Sequence, residues 1–213
     1  MFELLSLEIR RKVFHITGSL IPVVYYFLSK DLALVGLSLI NAILLLIEWL
    51  RLKGKIVFPK KWLRSHENKE VAGYIYFQMA SLLSILLFEK TIAIASILML
   101  ALGDAASGLA GAVILGGNIR SFKTNKLSFK PLPIMVVMFV VCVLIGLGLS
   151  SLPIAQDMIR IPFPVYVAGA MGATLGDAIP LKVLGRRIDD NLSIPLMSGL
   201  FMTVIMWMFQ YLS

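Results

Sequence analysis

The chain has little charge and almost no cysteine for its length. Charged residues make up 15% of its 213 residues, hydrophobic residues make up 59%, and the mean hydropathy is +0.89. A typical soluble domain has about 25% charged residues, so the composition excludes an ordinary soluble protein. The single cysteine, Cys142, excludes an internal disulfide.

Phosphate-binding loops of the types G-x-x-x-x-G-K-[ST] and G-x-G-x-x-G are also absent, so any nucleotide site must be built differently.

Seven apolar stretches are long enough to cross a membrane as helices. A helix needs about 20 apolar residues to cross a hydrocarbon core roughly 30 Å thick. The stretches cover approximately residues 11–28, 32–50, 71–88, 91–117, 131–149, 161–180 and 193–212. The sequence therefore predicts an all-α, polytopic membrane protein with about seven transmembrane helices and a single domain, residues 1–213.

Positive charge is predicted to lie mainly on one side of the bundle. If the helices alternate in direction, the N-terminus and the loops at 51–70, 118–130 and 181–192 share a side with 17 of the 20 lysines and arginines. Cytoplasmic segments are enriched in these residues, so the N-terminus is predicted to be cytoplasmic and the C-terminus external. Topology thus accounts for the net charge of +8 without a nucleic-acid partner. The predicted location is the cell membrane or an ER-type membrane, among membrane lipids.

Two aspartates lie within apolar stretches. The tetrapeptide Leu-Gly-Asp-Ala occurs at 102–105 and again at 175–178, which places Asp104 and Asp177 similarly in two helices that run in the same direction. Acids within a membrane are costly and usually face a cavity, a metal ion or a partner charge. Both are therefore candidate metal ligands, and a structural ion pair or a local cap is the alternative.

A histidine and several cations stand where the first segment enters the membrane. Arg11 and His15 are one helical turn apart, and Lys12 is adjacent to Arg11. A membrane-surface anchor would explain the cations but does not need a histidine one turn deeper. His15 and Lys12 are therefore candidate catalytic residues, and Arg11 and Lys12 are candidate nucleotide-binding residues.

The loop at 118–130 has the chemistry of a polyanion site. Its cations are three or four residues apart among hydroxyl and amide groups, and its candidate nucleotide-binding residues are Lys123, Asn125 and Lys126. Lysine and arginine bind nucleotide phosphates well. Contact with lipid headgroups is the alternative.

The last loop ends in acids and an amide. Arg186 and Asn191 are candidate nucleotide-binding residues, and Asp190 is a candidate metal ligand, because carboxylate and amide oxygens hold Mg²⁺ together with substrate phosphates. The same residues suit a helix start, with Asn191 or Ser193 as the cap and Pro195 in the first turn. The pattern fits both interpretations.

Four elements in this order resemble the CTP-dependent polyprenol kinases, a group that includes dolichol kinase, phytol kinase and CTP-dependent diacylglycerol kinase. They extend from residue 10 to residue 196, and the ordered set is more specific than any one of them. The elements are Arg11-Lys12-Val13-Phe14-His15 followed by Gly18; Gly103-Asp104 with Ala106 and Gly111; the lysine-rich loop; and Asp189-Asp190-Asn191-Leu192-Ser193-Ile194-Pro195-Leu196.

The resemblance implies a polytopic enzyme that transfers the γ-phosphate of CTP to a lipid hydroxyl with Mg²⁺ or another divalent cation. Asp104 would bind the metal, with Asp177 and Asp190 completing the site. Four cations would hold the triphosphate: Arg11, Lys12, Lys123 and Lys126. His15 would orient or deprotonate the alcohol, or Asp104 would be the base. Many relatives have a glutamate-containing element at 176–180 and a K-[ST]-x-E-G-like loop at 126–130. These differences leave the roles of Asp177 and Lys126 open.

Two other functions use similar residues. A membrane cytidylyltransferase would bind CTP with the same acids and cations but would react at the α-phosphate. A small ion-coupled transporter would use Asp104 and Asp177 at the middle of the membrane. Cations near helix ends disfavour transport, and the element at 189–196 favours a kinase. The sequence sets neither the acceptor alcohol nor the oligomeric state.

The distribution of cations predicts which loops can be labelled from outside. In a background without Cys142, a cysteine at position 213 should react with an impermeant maleimide in intact cells, and a cysteine at position 65 should react only after permeabilisation. The reverse pattern would contradict a cytoplasmic site.

Overall fold

The computed structural model describes residues 15–56, 70–114, 129–180, 182–183 and 186–212. Most of these residues are helical; the others form connections and two strands of two residues each. The helices are α1 (Leu20–Phe27), α2 (Lys30–Leu52), α3 (Gly73–Leu87), α4 (Lys90–Ile114), α5 (Leu132–Ser150), α6 (Phe163–Ala178) and α7 (Asp190–Leu212). The strands β1 (Lys182–Val183) and β2 (Arg186–Arg187) pair antiparallel.

Four of these helices are long and apolar enough to cross a membrane. They are α2, α4, α5 and α7, and each contains an apolar window of membrane-spanning length. The prediction of an all-α membrane protein is therefore supported by helix length and composition. The other three helices are shorter, with 8 residues in α1, 15 in α3 and 16 in α6. Seven membrane crossings therefore stay a prediction.

Contacts between helix ends divide the bundle into two ends. At one end, Asn191 at the start of α7 donates from Nδ2 to the carbonyl oxygen of Gly73 at the start of α3, 3.2 Å away. At the other end, Lys90 at the start of α4 donates from Nζ to the carbonyl oxygens of Leu28 and Gln156, at 2.8 and 2.6 Å. These are called the Asn191 end and the Lys90 end below.

The Lys90 end is closed by polar contacts. Lys90 is only 2% exposed, and the carbonyl groups that accept from it replace the water that its ammonium loses. Glu89 accepts from the backbone N–H groups of Thr91 and Ile92 and so caps α4. Burial raises the pKa of Glu89 even though these hydrogen bonds act in the opposite direction.

Helices α6 and α7 pack with their backbones in contact. A Cβ atom added to Gly172 would lie 2.6 Å from the carbonyl oxygen of Met197, and one added to Gly176 would lie 2.9 Å from that of Ser193. Ser193 also donates from Oγ to the carbonyl oxygen of Gly176, at 2.8 Å. Small residues on α6 therefore bring the end of α6 against the start of α7.

Two features of the helices differ from the sequence-based expectation. Helix α7 begins at Asp190, and the side chain of Asp189 accepts from the N–H of Asn191 at 3.0 Å, so Asp189 serves as the cap. The prediction that Asn191 or Ser193 caps this helix, with Pro195 in the first turn, is wrong because the helix begins earlier, at Asp190, and contains all three residues. Ser193 bonds across to α6 instead. In α4, residues Met99–Gly103 form a π-helical turn immediately before Asp104.

The contact between α6 and α7 predicts a large difference between two glycine substitutions. Gly172→Ala would push a methyl group into the backbone of α7, and we expect it to reduce the unfolding free energy by about 1–3 kcal/mol. Gly36→Ala in α2 meets nothing within 4 Å and should be neutral or stabilising by up to about 1 kcal/mol. Unfolding in mixed micelles, followed by circular dichroism, measures both. Equal stability of the two variants would contradict the packing described.

Candidate metal centre

Three aspartates from three helices meet at the Asn191 end of the bundle. Asp104 follows the π-helical turn of α4, Asp177 lies near the end of α6, and Asp190 is the first residue of α7. One carboxylate oxygen from each lies within 4.8 Å of the other two. Asp104 and Asp177 are 5% and 6% exposed, so water solvates these charges poorly.

Two side chains of basic residues lie against this cluster. Lys130 Nζ lies 2.5 Å from Asp177 Oδ1, and His15 Nδ1 lies 3.3 Å from Asp104 Oδ2. Burial lowers the pKa of Lys130, but the carboxylates of Asp177, Asp104 and Asp190 outweigh burial and raise that pKa above its usual value. The ammonium therefore stays charged at neutral pH and offsets part of the negative charge.

Polar contacts fix the orientation of Asp177. Its Oδ2 accepts a hydrogen bond from Ser107 Oγ at 3.0 Å, while its Oδ1 faces Lys130. Ser107 is 1% exposed and lies one turn after Asp104 in α4. Helix α4 therefore contributes one acid of the cluster and also holds the acid from α6.

The donor set fits a hard divalent cation. Mg²⁺ and related ions prefer carboxylate and carbonyl oxygens, and usually keep waters or substrate phosphates as further ligands. Asn191, next to Asp190, is 1% exposed, and among the described residues no group donates a hydrogen bond to its Oδ1. Such an orphaned buried oxygen is a reason to expect a further ligand beside the cluster.

The position of His15 depends on Phe77 and Gly18. The rings of His15 and Phe77 are perpendicular, with centroids 5.6 Å apart. A Cβ atom on Gly18 would lie 2.2 Å from the Phe77 ring, so this glycine lets the aromatic side chain of α3 reach the helical turn at 15–17. His15 is thereby held between an aromatic edge and the Asp104 carboxylate.

A buried ion pair within α2, between Glu48 and Arg51, bonds to the start of α3 at the same end. Both oxygens of Glu48 accept from Arg51, at 2.6 and 2.7 Å. Glu48 also accepts from the N–H of Ala72 and from the hydroxyl of Tyr74, each at 2.8 Å. These bonds fix the start of α3, whose first residue, Gly73, accepts from the Asn191 amide.

The structure brings together some of the predicted site residues and does not describe others. Asp104, Asp177 and Asp190 meet, His15 contacts Asp104, and Asn191 lies beside Asp190. The remaining predicted residues, together with the Arg186 side chain, lie outside the described part of the chain, although the Arg186 backbone belongs to β2. The residues outside it are Arg11, Lys12, Lys123, Asn125 and Lys126.

The sequence did not identify two single residues and one ion pair at this end. Lys130 was one of several cations in its loop, and only the proximity to α6 distinguishes it. Ser107 is one of many serines in the sequence, and only the fold shows that it donates to Asp177. The pair Glu48 and Arg51 could have been found, because an acid and a base three residues apart end an apolar helix.

Comparison with known proteins adds one similar chain. An uncharacterized protein of Rickettsia prowazekii is 26% identical over 206 residues, which are 92% of this chain and 94% of that protein. The similarity thus extends along nearly the whole of both chains. No protein-family model and no solved structure matches the chain.

The geometry predicts that Asp104→Asn binds divalent cations at least about tenfold more weakly than wild type, because it removes one charged ligand at nearly constant volume. Mn²⁺ binding to the purified protein, measured by electron paramagnetic resonance, tests this. The control is Asp31→Asn, an exposed acid in the first turn of α2. A folded Asp104→Asn protein with wild-type Mn²⁺ affinity would remove Asp104 from the site.

Proposed function

We propose that this chain is a CTP-dependent lipid kinase that transfers the γ-phosphate of CTP to the hydroxyl of a polyprenol or another isoprenoid alcohol, such as a dolichol-, geranylgeraniol- or phytol-like lipid. The observation that carries the proposal is the convergence of Asp104, Asp177 and Asp190 in a helical protein of membrane composition. The resemblance to polyprenol kinases supports it, since its Gly-Asp element and its Asp-Asp-Asn element supply two of these three acids.

Phosphoryl transfer depends mainly on positioning and on neutralisation of charge. The three aspartates would hold Mg²⁺, which when bound neutralises charge on the phosphate oxygens. The proposed nucleotide-binding residues are Arg11, Lys12, Lys123, Asn125, Lys126, Arg186 and Asn191. In the reaction, the alcohol oxygen forms a bond to the γ-phosphorus, the bond from that phosphorus to the β–γ bridging oxygen breaks, and CDP leaves.

His15 is the proposed acceptor of the hydroxyl proton. Its Nδ1 is near the Asp104 carboxylate, and a carboxylate beside one ring nitrogen favours the proton on that nitrogen. The other nitrogen, Nε2, is then available as a base. The edge contact with Phe77 keeps the ring in this orientation.

The proposal includes seven membrane crossings, a cytoplasmic N-terminus and a site that opens toward the cytoplasm. Two observations support this topology. The described helix ends separate into two groups, as alternating helices require. The acids lie at the Asn191 end, which joins the cation-rich loops at 51–70, 118–130 and 181–192.

The position of the cluster disfavours an ion-coupled transporter. Asp104 lies near the middle of α4, 14 residues after Lys90 and 10 residues before Ile114, so its place along this helix suits either function. Asp177 and Asp190 lie at the adjoining ends of α6 and α7. These two acids are therefore at helix ends, whereas transporter sites typically lie near the midplane.

The decisive experiment asks which phosphate of CTP reaches the lipid. With purified protein, Mg²⁺ and a panel of lipid alcohols, we expect γ-label to appear in an extracted lipid phosphate and α-label to stay in water. Asp104→Asn and Lys12→Met should abolish the transfer, because they remove a proposed metal ligand and a proposed phosphate ligand. Asp31→Asn should keep it, and γ-labelled ATP tests the choice of nucleotide.

Other outcomes identify the other functions. Transfer of α-label to a phosphorylated lipid, with release of pyrophosphate, would replace the kinase by a cytidylyltransferase. Failure of both labels with folded protein and a broad acceptor panel would favour a transporter.

A further inference from the structure

We propose that Lys130 is a displaceable counter-ion of the metal centre: its ammonium neutralises Asp177 while no cation is bound, and binds the polyphosphate of the donor once a divalent cation takes its place. The inference rests on the proposed function for the identity of the donor. It concerns Lys130, to which neither the resemblance nor the proposed nucleotide site assigns a role.

The first argument is electrostatic. Three carboxylates within 4.8 Å cannot all stay charged in a poorly solvated place without compensation. The described positive group in closest contact is the Lys130 ammonium, 2.5 Å from Asp177 Oδ1. A divalent cation bound to the same carboxylates would repel that ammonium at short range. The two therefore compete for one place.

The second argument is the unequal burial of the two partners. The side chain of Asp177 is 1% exposed and is held by Ser107 on its other oxygen, whereas the side chain of Lys130 is 32% exposed. Lys130 lies outside any helix, just before α5, and its ammonium is carried by a flexible four-carbon side chain. Asp177 therefore keeps its place when the pair separates, and Lys130 can turn toward solvent.

The third argument concerns where Lys130 would turn. It is in the loop before α5 that also contains Lys123, Asn125 and Lys126, all proposed to bind nucleotide phosphates. An ammonium displaced from Asp177 would still be close to the three acids, where the phosphates of the donor would bind. Lysine serves there as a point-charge ligand for phosphate oxygens.

A permanent structural ion pair makes the opposite prediction for cation affinity. If Lys130 only stabilises Asp177, its removal should disorder the acid and weaken cation binding. If Lys130 competes with the cation, its removal should strengthen cation binding. The sign of this change separates the two roles without any measurement of turnover.

The experiment measures two affinities on the full chain in detergent micelles. Electron paramagnetic resonance gives the affinity for Mn²⁺ alone, and calorimetry at saturating Mn²⁺ gives the affinity for inorganic tripolyphosphate. For Lys130→Met we expect Mn²⁺ to bind roughly tenfold more tightly and tripolyphosphate roughly 10- to 100-fold more weakly, since hydrogen bonds to charged groups contribute about 1.5–3 kcal/mol.

Three further variants make the test specific. Lys130→Gln should shift both affinities in the same directions and replaces Lys130→Met if that variant does not fold. Lys130→Arg keeps the charge and should resemble wild type in Mn²⁺ affinity. Lys53→Met removes an exposed lysine that lies 3.9 Å from the Trp49 ring and should change neither affinity.

Unchanged or weaker Mn²⁺ binding in both neutral variants would overturn the inference, and so would unchanged tripolyphosphate binding or the absence of Mn²⁺ binding by wild type. Both shifts without transfer of γ-label to any lipid would uphold the role of Lys130 and overturn only the kinase assignment.

Discussion

Repulsion among three carboxylates is the constraint on which the Asn191 end of this molecule depends. Two unit charges about 5 Å apart repel by roughly 3 kcal/mol at an effective dielectric constant of about 20. The contacts around Asp104, Asp177 and Asp190 reduce this repulsion or fix the orientation of a carboxylate. Lys130 supplies charge and Ser107 supplies a hydrogen bond to Asp177, and His15 lies beside Asp104.

Close packing of two helices makes the cluster possible. Asp177 and Asp190 are separated by a short connection, but only the direct contact of α6 with α7 at Gly172 and Gly176 brings their carboxylates within reach of each other. The opposite end of the bundle uses a different chemistry. There a buried lysine binds carbonyl oxygens, which makes that end a closed structural cap. The Lys90 end is thus closed by hydrogen bonds to its buried lysine. The Asn191 end has a buried amide oxygen, Asn191 Oδ1, to which no described group donates a hydrogen bond.

The sequence predicts most of the helical segments, and it also singles out the three acids that come together in the structure. Long apolar runs specify helices almost independently of their neighbours, and an isolated acid such as Asp104 is conspicuous within one. The repeated Leu-Gly-Asp-Ala also indicated that Asp104 and Asp177 occupy similar positions. Tertiary contacts determine the role of Ser193 and the lysine that reaches the acids. Ser193 has the residue type of a cap but bonds to α6, and which lysine of a basic loop reaches the acids depends on the packing of α5 against α6.

The π-helical turn at Met99–Gly103 has a consequence for the comparison of related chains. A π turn accommodates one more residue than the α-helix around it, and one residue of an α-helix corresponds to about 100° of rotation. A related chain that lacks one residue in this turn would keep its hydropathy and its Gly-Asp pair. Its turn would then close as ordinary α-helix, and its aspartate would keep its direction without the change of about 100°. A one-residue gap before the Gly-Asp pair is therefore no sign that a related chain lacks the aspartate cluster.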